Sequence, residues 1–397
     1  MKKIQHQSFF VLILVALNMA CGIDLKEKNI LIQEIENIKN TFAPDKRTAL
    51  FNISVLDGPS NLTLAGESNL PNAVDSLRNA LNANGVQFKD EIVLLPSKAL
   101  DGKTNAVINI SAANLRSDPK HSAELATQAI LGTTVNVLKK EDGWYLIQTP
   151  DKYLAWVDSG GIQLMDEKEL KSWTDSNKII YTDTYGHVFN SKDKTNRVSD
   201  IVAGSLLKLL SVDEEFYRVQ FPDGREGVVS KDEAEDYNMW LSSLSDEPDA
   251  LVETSKTLMG VPYLWGGTST KGVDCSGFTK TVYFLNGMVI PRDASQQVNA
   301  GIPIDSISNF NSLKKGDLLF FGRKATDSTA EKVVHVGMWI GDNQFIHSSD
   351  MVRISSVDKN SPIYDAYNVG RYLRSKRVFK EEGKNIIKLK KADQIKG

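Results

Sequence analysis

One cysteine stands at a position where its thiol could act as a nucleophile. Cys275 lies in the string VDCSGFTKTVYFLNG, in which Asp274 can cap a helix whose first turn holds the cysteine. Gly287 ends this predicted helix, and its apolar face consists of Phe278, Val282 and Leu285. The positive end of a helix dipole favours a thiolate, and Gly277 leaves room for a substrate. A buried structural cysteine on an amphipathic helix is the competing interpretation.

Two histidines follow the cysteine in the C-terminal part of the chain. His335 lies in VVHVGMWI and His347 in QFIHSS, and the intervening residues 341–343 (Gly-Asp-Asn) predict a turn. A three-residue loop pairs Ile340 with Gln344, which puts His347 diagonal to His335 on one face of a hairpin. A thiolate needs a base that takes its proton, and the base needs a polar partner that fixes its tautomer. The cysteine and the two histidines could fill these roles, whereas two polar residues on a solvated hairpin face are the alternative.

The first 21 residues are typical of an export signal. Lys2 and Lys3 precede the apolar run FFVLILVAL, which is too short to cross a bilayer, and Ala20 is the small residue that a signal peptidase requires. Cys21 follows, so the segment resembles a bacterial lipoprotein signal, although Asn18 stands where such signals usually have Leu. The resemblance implies acylation of Cys21 and an exported, membrane-anchored lipoprotein of the bacterial cell envelope. Plain cleavage near Ala20 is the alternative.

The cysteine count adds weight to the catalytic interpretation. The chain has 2 cysteines. If Cys21 is acylated, Cys275 is alone in the mature protein and cannot form an internal disulfide. A lone thiol in an oxidising compartment is a liability unless its chemistry is used.

Length and composition predict a folded protein with several domains. The chain has 397 residues, of which 41% are hydrophobic and 24% charged, and its formal net charge is -3. Strong nucleic-acid binding is not expected, because no long basic run precedes the Lys-rich C-terminal tail. The chain shows no clustered metal ligands, and we expect no metal or other cofactor.

Patterns of apolar residues and turns divide the chain into six segments. We predict an α+β N-terminal domain, two small all-β barrels, and an α+β catalytic domain with its helix first and its antiparallel strands after it. The predicted bounds are 1–21 for the lipoprotein signal, 24–105 for the N-terminal domain, 106–170 and 171–245 for the barrels, 246–380 for the catalytic domain, and 381–397 for a flexible tail.

The two predicted barrels repeat one pattern. The string DGWYLIQTPDKYLAWV in the first matches EEFYRVQFPDGREGVV in the second, each with an acidic turn, an aromatic strand, a second turn and a closing strand. Both resemble bacterial SH3-like domains. The sequence therefore predicts two copies of one small barrel ahead of the catalytic domain.

The catalytic segment resembles a known family of cell-wall enzymes. The strings PYLWGG, DCSGF, GDLLFF, HVGMWIG and FIHSS, in this order, are similar to the NlpC-type cysteine peptidases, which are papain-like in fold. The resemblance implies that Cys275 is the nucleophile, His335 the base and His347 the orienting residue. It also implies that Tyr263 helps to hold the oxyanion and that Trp265, Asp274, Ser276 and Asp293 line the pocket. Many relatives have Ser where this chain has Ala294.

A lipoprotein with two SH3-like domains before such a catalytic domain is similar to the γ-D-glutamyl-L-diamino-acid endopeptidases, which process muropeptides. In these enzymes the first barrel lends a glutamate and a tyrosine to the site, here Glu124 in AELATQAI and Tyr153 in DKYLAW. The alternatives are a solvated surface charge for Glu124 and a packing residue for Tyr153.

The resemblance implies cleavage of the bond between γ-D-glutamate and a diamino acid in peptidoglycan stem peptides with a free N-terminal L-Ala. Two carboxylates, on Glu124 and Asp293, would then share the L-Ala ammonium with the Tyr153 hydroxyl. Two other hypotheses remain open. One keeps the fold and makes the protein a muramoyl-alanine amidase or an acyltransferase, and the other makes it a non-catalytic wall-binding lipoprotein.

Overall fold

The computed structural model describes residues 25–57, 62–381, 383 and 385–389. The predicted signal, including Cys21, lies outside the described residues. The chain divides into two compact units, with the boundary after Lys98. Among the described helices, none combines the length and the apolar character that crossing a bilayer would require.

The first unit is a small α+β domain. Helix α1 (Leu25–Phe42) precedes strands β1 (Phe51–Asp57) and β2 (Leu62–Ser68), and helix α2 (Pro71–Ala83) leads into β3 (Phe88–Leu94). Strands β1 and β2 are antiparallel, whereas β2 and β3 are parallel because α2 carries the chain back across the sheet. Proline at the first position of α2 starts the helix, whose buried face consists of Ala73, Val74, Leu77 and Leu81.

The next part of the chain forms an antiparallel sheet, the first SH3-like domain. Its described strands are β4 (Asn105–Ile108), β5 (Ala112–Arg116), β6 (Leu125–Ile130), β7 (Thr134–Glu141), β8 (Trp144–Gln148), β9 (Leu154–Asp158) and β10 (Ile162–Met165). They lie in the order β10-β4-β7-β8-β9-β5-β6. Helix α3 (Glu167–Thr174) follows, with a capping box between Asp166 and Glu169 at its start.

A second antiparallel sheet, the second SH3-like domain, repeats this arrangement. Its described strands are β11 (Lys178–Tyr181), β12 (Tyr185–Phe189), β13 (Arg197–Val202), β14 (Leu206–Val212), β15 (Phe216–Gln220), β16 (Glu226–Ser230) and β17 (Ala234–Asp236). Read as β17-β11-β14-β15-β16-β12-β13, the order matches that of the first sheet strand for strand. The repeat seen in the sequence is therefore a repeat of topology. Helix α4 (Tyr237–Ser243) follows this sheet.

The catalytic domain places three described helices before its main antiparallel strands, and a fourth lies between the last two of these strands. Its helices are α5 (Asp249–Thr257), α6 (Cys275–Phe284), α7 (Ala294–Gln297) and α8 (Ala366–Gly370). Its main strands are β21 (Ile302–Asp305), β22 (Leu318–Arg323), β23 (Lys332–Gly341), β24 (Gln344–Ser349), β25 (Met351–Ser356) and β26 (Tyr372–Arg377), in the order β21-β26-β22-β23-β24-β25. Short strands β18 (Thr268–Ser269) and β19 (Gly272–Val273) lie before α6. The predicted multidomain fold class is confirmed.

The central strand β22 is buried on both faces, which explains its continuous apolar run. Leu318 and Phe320 pack with α6 in the main core, whereas Leu319 and Phe321 pack on the other face with Trp339. This sheet fixes the strand that carries His335 against the helix that carries Cys275.

The predicted flexible tail differs from the structure in part. Strand β27 (Ile387–Lys388) pairs with β20 (Met288–Val289), and the Leu389 N–H donates to the Gly287 carbonyl at 2.8 Å. These backbone hydrogen bonds attach part of the segment after residue 381 to the catalytic domain.

Candidate active site

Cys275 is the first residue of helix α6, as the capping pattern predicts. The Asp274 carboxylate accepts from the Gly277 N–H at 2.7 Å and caps the helix. A β-carbon on Gly277 would lie 1.9 Å from the Gly267 carbonyl oxygen, so only glycine fits there. The helix and the preceding loop are thus in close contact at the cysteine.

The surroundings of the Cys275 thiol oppose the thiolate that the helix end alone would favour. Cys275 is 7% exposed. Burial, and next the Asp274 carboxylate, raise the pKa of the thiol to about 11, whereas the Val336 N–H, the Arg292 guanidinium and the Ser276 N–H lower it. Burial therefore opposes the thiolate that the helix end favours, so a base is needed to take the thiol proton during attack.

His335 and His347 lie in direct contact on one face of the sheet. Nε2 of His335 and Nδ1 of His347 are 2.7 Å apart, and both rings are buried. Burial, followed by the His347 ring, holds the pKa of His335 well below its ordinary value, so His335 is a neutral acceptor at pH 7. Because His347 occupies Nε2 of His335, Nδ1 is the nitrogen available to the thiol. The Val336 N–H, which lowers the pKa of Cys275, belongs to the residue next to His335.

The hairpin between the histidines has a tighter turn than the sequence predicts. Gly341 pairs with Gln344, so the loop has two residues, Asp342 and Asn343, both with positive φ (50° and 57°). A bulge between Trp339 and Gly341 then restores the expected register further along the strands. The turn prediction was one residue too long, but the extra residue in the bulge leaves the two histidines on the same face.

Behind Cys275 lies a buried ion pair that the sequence did not predict. Arg292 is 1% exposed and donates to both Asp274 oxygens, at 2.6 and 3.0 Å. The same guanidinium donates to the hydroxyl oxygens of Ser276 (3.0 Å) and of Thr127 in the first SH3-like domain (2.9 Å). Ser276 is buried in this network beside Cys275. The signal was present in the string PRDASQQ, one residue before Asp293.

The PYLWGG segment carries the predicted Tyr263 and Trp265. Burial, and next the Cys275 thiol, raise the pKa of Tyr263, so its hydroxyl keeps its proton and can donate. The Trp265 indole Nε1 donates to Glu124 Oε1 at 2.7 Å, although the Trp265 residue is 63% exposed. Gly266, with a φ of +78°, lets this loop approach the Leu125 carbonyl, where a β-carbon would lie 2.1 Å away. Glu124 is thus held against the catalytic domain.

Tyr153 reaches the catalytic domain from the first SH3-like domain. Its hydroxyl donates to Asp293 Oδ2 at 3.2 Å, and Asp293 stands at the start of α7. The turn before Tyr153 is anchored by an ion pair between Asp151 and Lys280 of the nucleophile helix, whose side chains are 5% and 18% exposed. This buried pair fixes the tyrosine next to the catalytic domain.

A further set of hydrogen bonds joins strand β6 to the loop before Cys275. The Gln128 amide oxygen accepts from the Thr268 N–H (3.1 Å) and the Ser269 hydroxyl (2.9 Å). The Thr268 hydroxyl donates to the Gln128 carbonyl at 2.9 Å. The first SH3-like domain is therefore attached by hydrogen bonds to the loop that precedes Cys275.

Comparisons with known proteins agree with this geometry. Residues 260–372 match the NlpC/P60 family model, and residues 111–163 match the bacterial SH3 domain model. The chain is 33% identical over 261 residues to a γ-D-glutamyl-L-lysine dipeptidyl-peptidase of Bacillus cereus, covering 63% of this chain and 76% of the relative. It is 27% identical over 277 residues to dipeptidyl-peptidase 6 of Lysinibacillus sphaericus, covering 66% of this chain and 94% of that protein. A crystal structure of an NlpC/P60 family protein from Bacillus cereus superposes with a TM-score of 0.59 at 27% identity, covering 69% of this chain and 99% of that one.

Proposed function

Because this chain belongs to the NlpC/P60 family and carries bacterial SH3-like domains, we propose that it is a cysteine endopeptidase of peptidoglycan stem peptides. The bond cut is the one between γ-D-glutamate and the following diamino acid. One observation carries this proposal: a relative named for a γ-D-glutamyl-L-lysine substrate aligns across 76% of its own length. The alignment is longer than the catalytic domain, so the likeness includes sequence outside it.

The proposed reaction uses the neutral thiol and the neutral imidazole. The Cys275 proton moves to Nδ1 of His335 as the sulfur attacks the γ-carbonyl carbon of D-glutamate. The Cys275 N–H and the Tyr263 hydroxyl donate to the oxyanion that forms, and one such donor commonly contributes about 10²–10³ in rate. His335 then gives its proton to the diamino-acid nitrogen as the C–N bond breaks. Water hydrolyses the thioester, losing a proton to His335 and returning the thiol.

The proposed specificity is for a free N-terminal L-Ala. In this proposal the Glu124 and Asp293 carboxylates bind the amino end of the substrate together with Tyr153, whose hydroxyl donates to Asp293. An L-Ala ammonium offers a positive charge and three donors to this set, whereas an acylated L-Ala is uncharged and offers one N–H donor. The hydrogen bonds that attach the first SH3-like domain to the loop before Cys275 support the further proposal that this domain excludes muramic acid. We therefore propose that the enzyme acts on released stem peptides and spares intact wall.

The test is hydrolysis of L-Ala-γ-D-Glu-L-Lys and of the diaminopimelate analogue, each compared with its N-acetylated form and with intact sacculi. The expected products are L-Ala-D-Glu and the free diamino acid, identified by mass spectrometry, with Cys275→Ala as the inactive control. Equal kcat/KM for the free and N-acetylated peptides would refute the specificity. Release of stem peptides from muramic acid would instead identify an amidase.

Export and anchoring form a second part of the proposal. The signal-like segment 1–21 supports export, and Cys21 is the proposed acylation site. An envelope location would bring the enzyme to peptides released from the wall.

A further inference from the structure

The hydrogen-bond chain that begins at His335 does not end at His347. Nε2 of His347 lies 3.0 Å from Ser355 Oγ and 3.9 Å from Asp365 Oδ2. His347 is 0% exposed and Ser355 is 5% exposed, while the Asp365 side chain is 10% exposed. Both oxygens are therefore part of the buried interior beside the catalytic histidines.

This arrangement selects one tautomer for each ring. His335 can take the thiol proton at Nδ1 only if its own proton is on Nε2, from which it donates to Nδ1 of His347. His347 must then carry its proton on Nε2, facing Ser355 and Asp365. A carboxylate can only accept, so Asp365 favours a donor on that nitrogen.

We propose that Asp365, together with Ser355, is a positioning residue that holds His347 in the Nε2–H tautomer and thereby keeps Nδ1 of His335 ready to accept the Cys275 proton. The catalytic part of this inference rests on the proposed peptidase function, whereas the tautomer part does not. When His335 becomes an imidazolium during attack, its Nε2–H remains bonded to His347. The Asp365 charge then stabilises the cation through the His347 ring.

Asp365 is itself held in place, so it cannot turn away from the ring. One of its oxygens accepts from the Asn368 N–H at 2.9 Å and caps α8, and the other accepts from the Asn368 side-chain amide at 2.5 Å. The Asn368 amide oxygen in turn accepts from Arg371 at 2.7 and 3.1 Å. The chain of contacts thus runs from His335 to a guanidinium that stacks on Tyr367.

Several charged side chains raise or lower the pKa values of His335 and His347. Burial lowers the pKa of His347 most, and the Arg353 and Arg371 guanidinium groups lower it further, whereas Asp365 and Asp350 raise it. For His335, burial, His347, Arg371 and Arg353 all lower the pKa. Neutralising Asp365 removes the largest charge contribution that opposes burial, so the pKa of His347 falls further.

The experiment uses Asp365→Asn, Ser355→Ala and the double variant in the full chain. Asparagine caps helices as well as aspartate does, so Asp365→Asn keeps the start of α8 while removing the charge. Asp358→Asn is the matched control, because the Asp358 carboxylate caps a turn by accepting from the Asn360 N–H. Thermal unfolding checks that each variant is folded.

Two readouts need no peptide substrate. Long-range ¹H–¹⁵N spectra of histidine-labelled protein should show Nε2–H tautomers for both rings in the wild type and a mixture in the double variant. The rate of Cys275 alkylation by iodoacetamide near pH 7 should also be lower in the double variant than in the wild type. If the double variant keeps both the wild-type tautomers and the wild-type alkylation rate, the positioning role is refuted.

A third readout is peptide hydrolysis. Asp365→Asn should lower kcat about 10- to 100-fold with KM nearly unchanged, the scale on which partners that orient a functional histidine act. Asp358→Asn should match the wild type. Absence of hydrolysis by the wild type would count against the proposed peptidase alone, since the spectra and the alkylation rate would still decide the role of Asp365.

Discussion

Arg292 and Asp274 form a buried two-point ion pair directly behind the candidate nucleophile, with N–O distances of 2.6 and 3.0 Å. Asp274 also caps the helix that begins at Cys275, and Arg292 also reaches Thr127 in the first SH3-like domain. One guanidinium therefore links the docking of that domain to the position of the cysteine. Because Asp274 raises the pKa of Cys275 and Arg292 lowers it, the pair also limits the net change in the pKa of the thiol.

Arg292→Met should destabilise the protein by about 3–5 kcal/mol, since it leaves a buried carboxylate without its partner. Urea unfolding measures this change. Arg218→Met is the matched control, because its ion pair with Glu226 is largely exposed and should contribute about 0–1 kcal/mol. The pH at which iodoacetamide alkylates Cys275 should also rise in Arg292→Met. Equal free energies of unfolding for both variants would contradict this account.

Cys275→Ala, Cys275→Ser and His335→Ala should each lose nearly all hydrolysis, whereas His347→Ala should lose less. The reason is that Cys275 would form a covalent bond with the substrate and His335 would transfer protons to and from it. Water can partly replace an orienting ring such as that of His347. Steady-state kinetics on L-Ala-γ-D-Glu-L-Lys measure the ranking, with circular dichroism as the folding control. Measurable turnover by Cys275→Ala would exclude it as the nucleophile.

The acid limb of kcat/KM should lie below pH 6.5. The pKa of His335 is held well below its ordinary value by burial, so the base stays neutral as the pH falls through 6.5 and becomes protonated only at a lower pH.

Burial also lowers the pKa of His347, to about 4. Between pH 6.5 and about 4, His347 binds a proton in the unfolded chain but not in the folded one. The free energy of unfolding should therefore decrease as the pH is lowered through this window, and the decrease due to His347 should end below about pH 4. Urea midpoints of wild type and His347→Gln compare the slopes, and identical slopes would argue against this assignment.

Tyr153→Phe should raise KM for peptides with a free L-Ala about tenfold or more, because a hydrogen bond to a charged group contributes about 1.5–3 kcal/mol. The missing hydroxyl is the one that contacts Asp293. Tyr145→Phe is the control, since Tyr145 is buried in the core of the same domain. If the role of Tyr153 is purely structural, KM should instead change by the same factor in both variants.

Cys21→Ser should release the protein from membranes and leave kcat/KM unchanged. Stable anchoring requires two or more acyl chains, and without the cysteine thiol none can be attached in this way. Cell fractionation with immunoblotting measures the distribution. Unaltered membrane association would speak against acylation at this residue.

The sequence alone was sufficient for the features that depend on neighbours along the chain. The cap at Asp274, the helix that starts at Cys275 and the shared face of His335 and His347 all follow from capping preferences and from the two-residue period of strands. The repeat in the two SH3-like domains could also be read from the order of aromatic and turn residues. Even there the turn length was wrong, because a bulge in a strand depends on its pairing partner.

The tertiary structure decided everything that depends on contacts between distant segments. Arg292 and Thr127 are 165 residues apart in the chain, and neither has a local pattern that predicts their hydrogen bond. The same holds for Asp365, whose capping pattern marks a helix start but not the histidine beside it. The environment that sets the protonation of the Cys275 thiol was also decided by the tertiary structure. A helix end favours a thiolate locally, but burial by the surrounding chain and the Asp274 carboxylate outweigh it, because desolvation depends on how the whole domain packs.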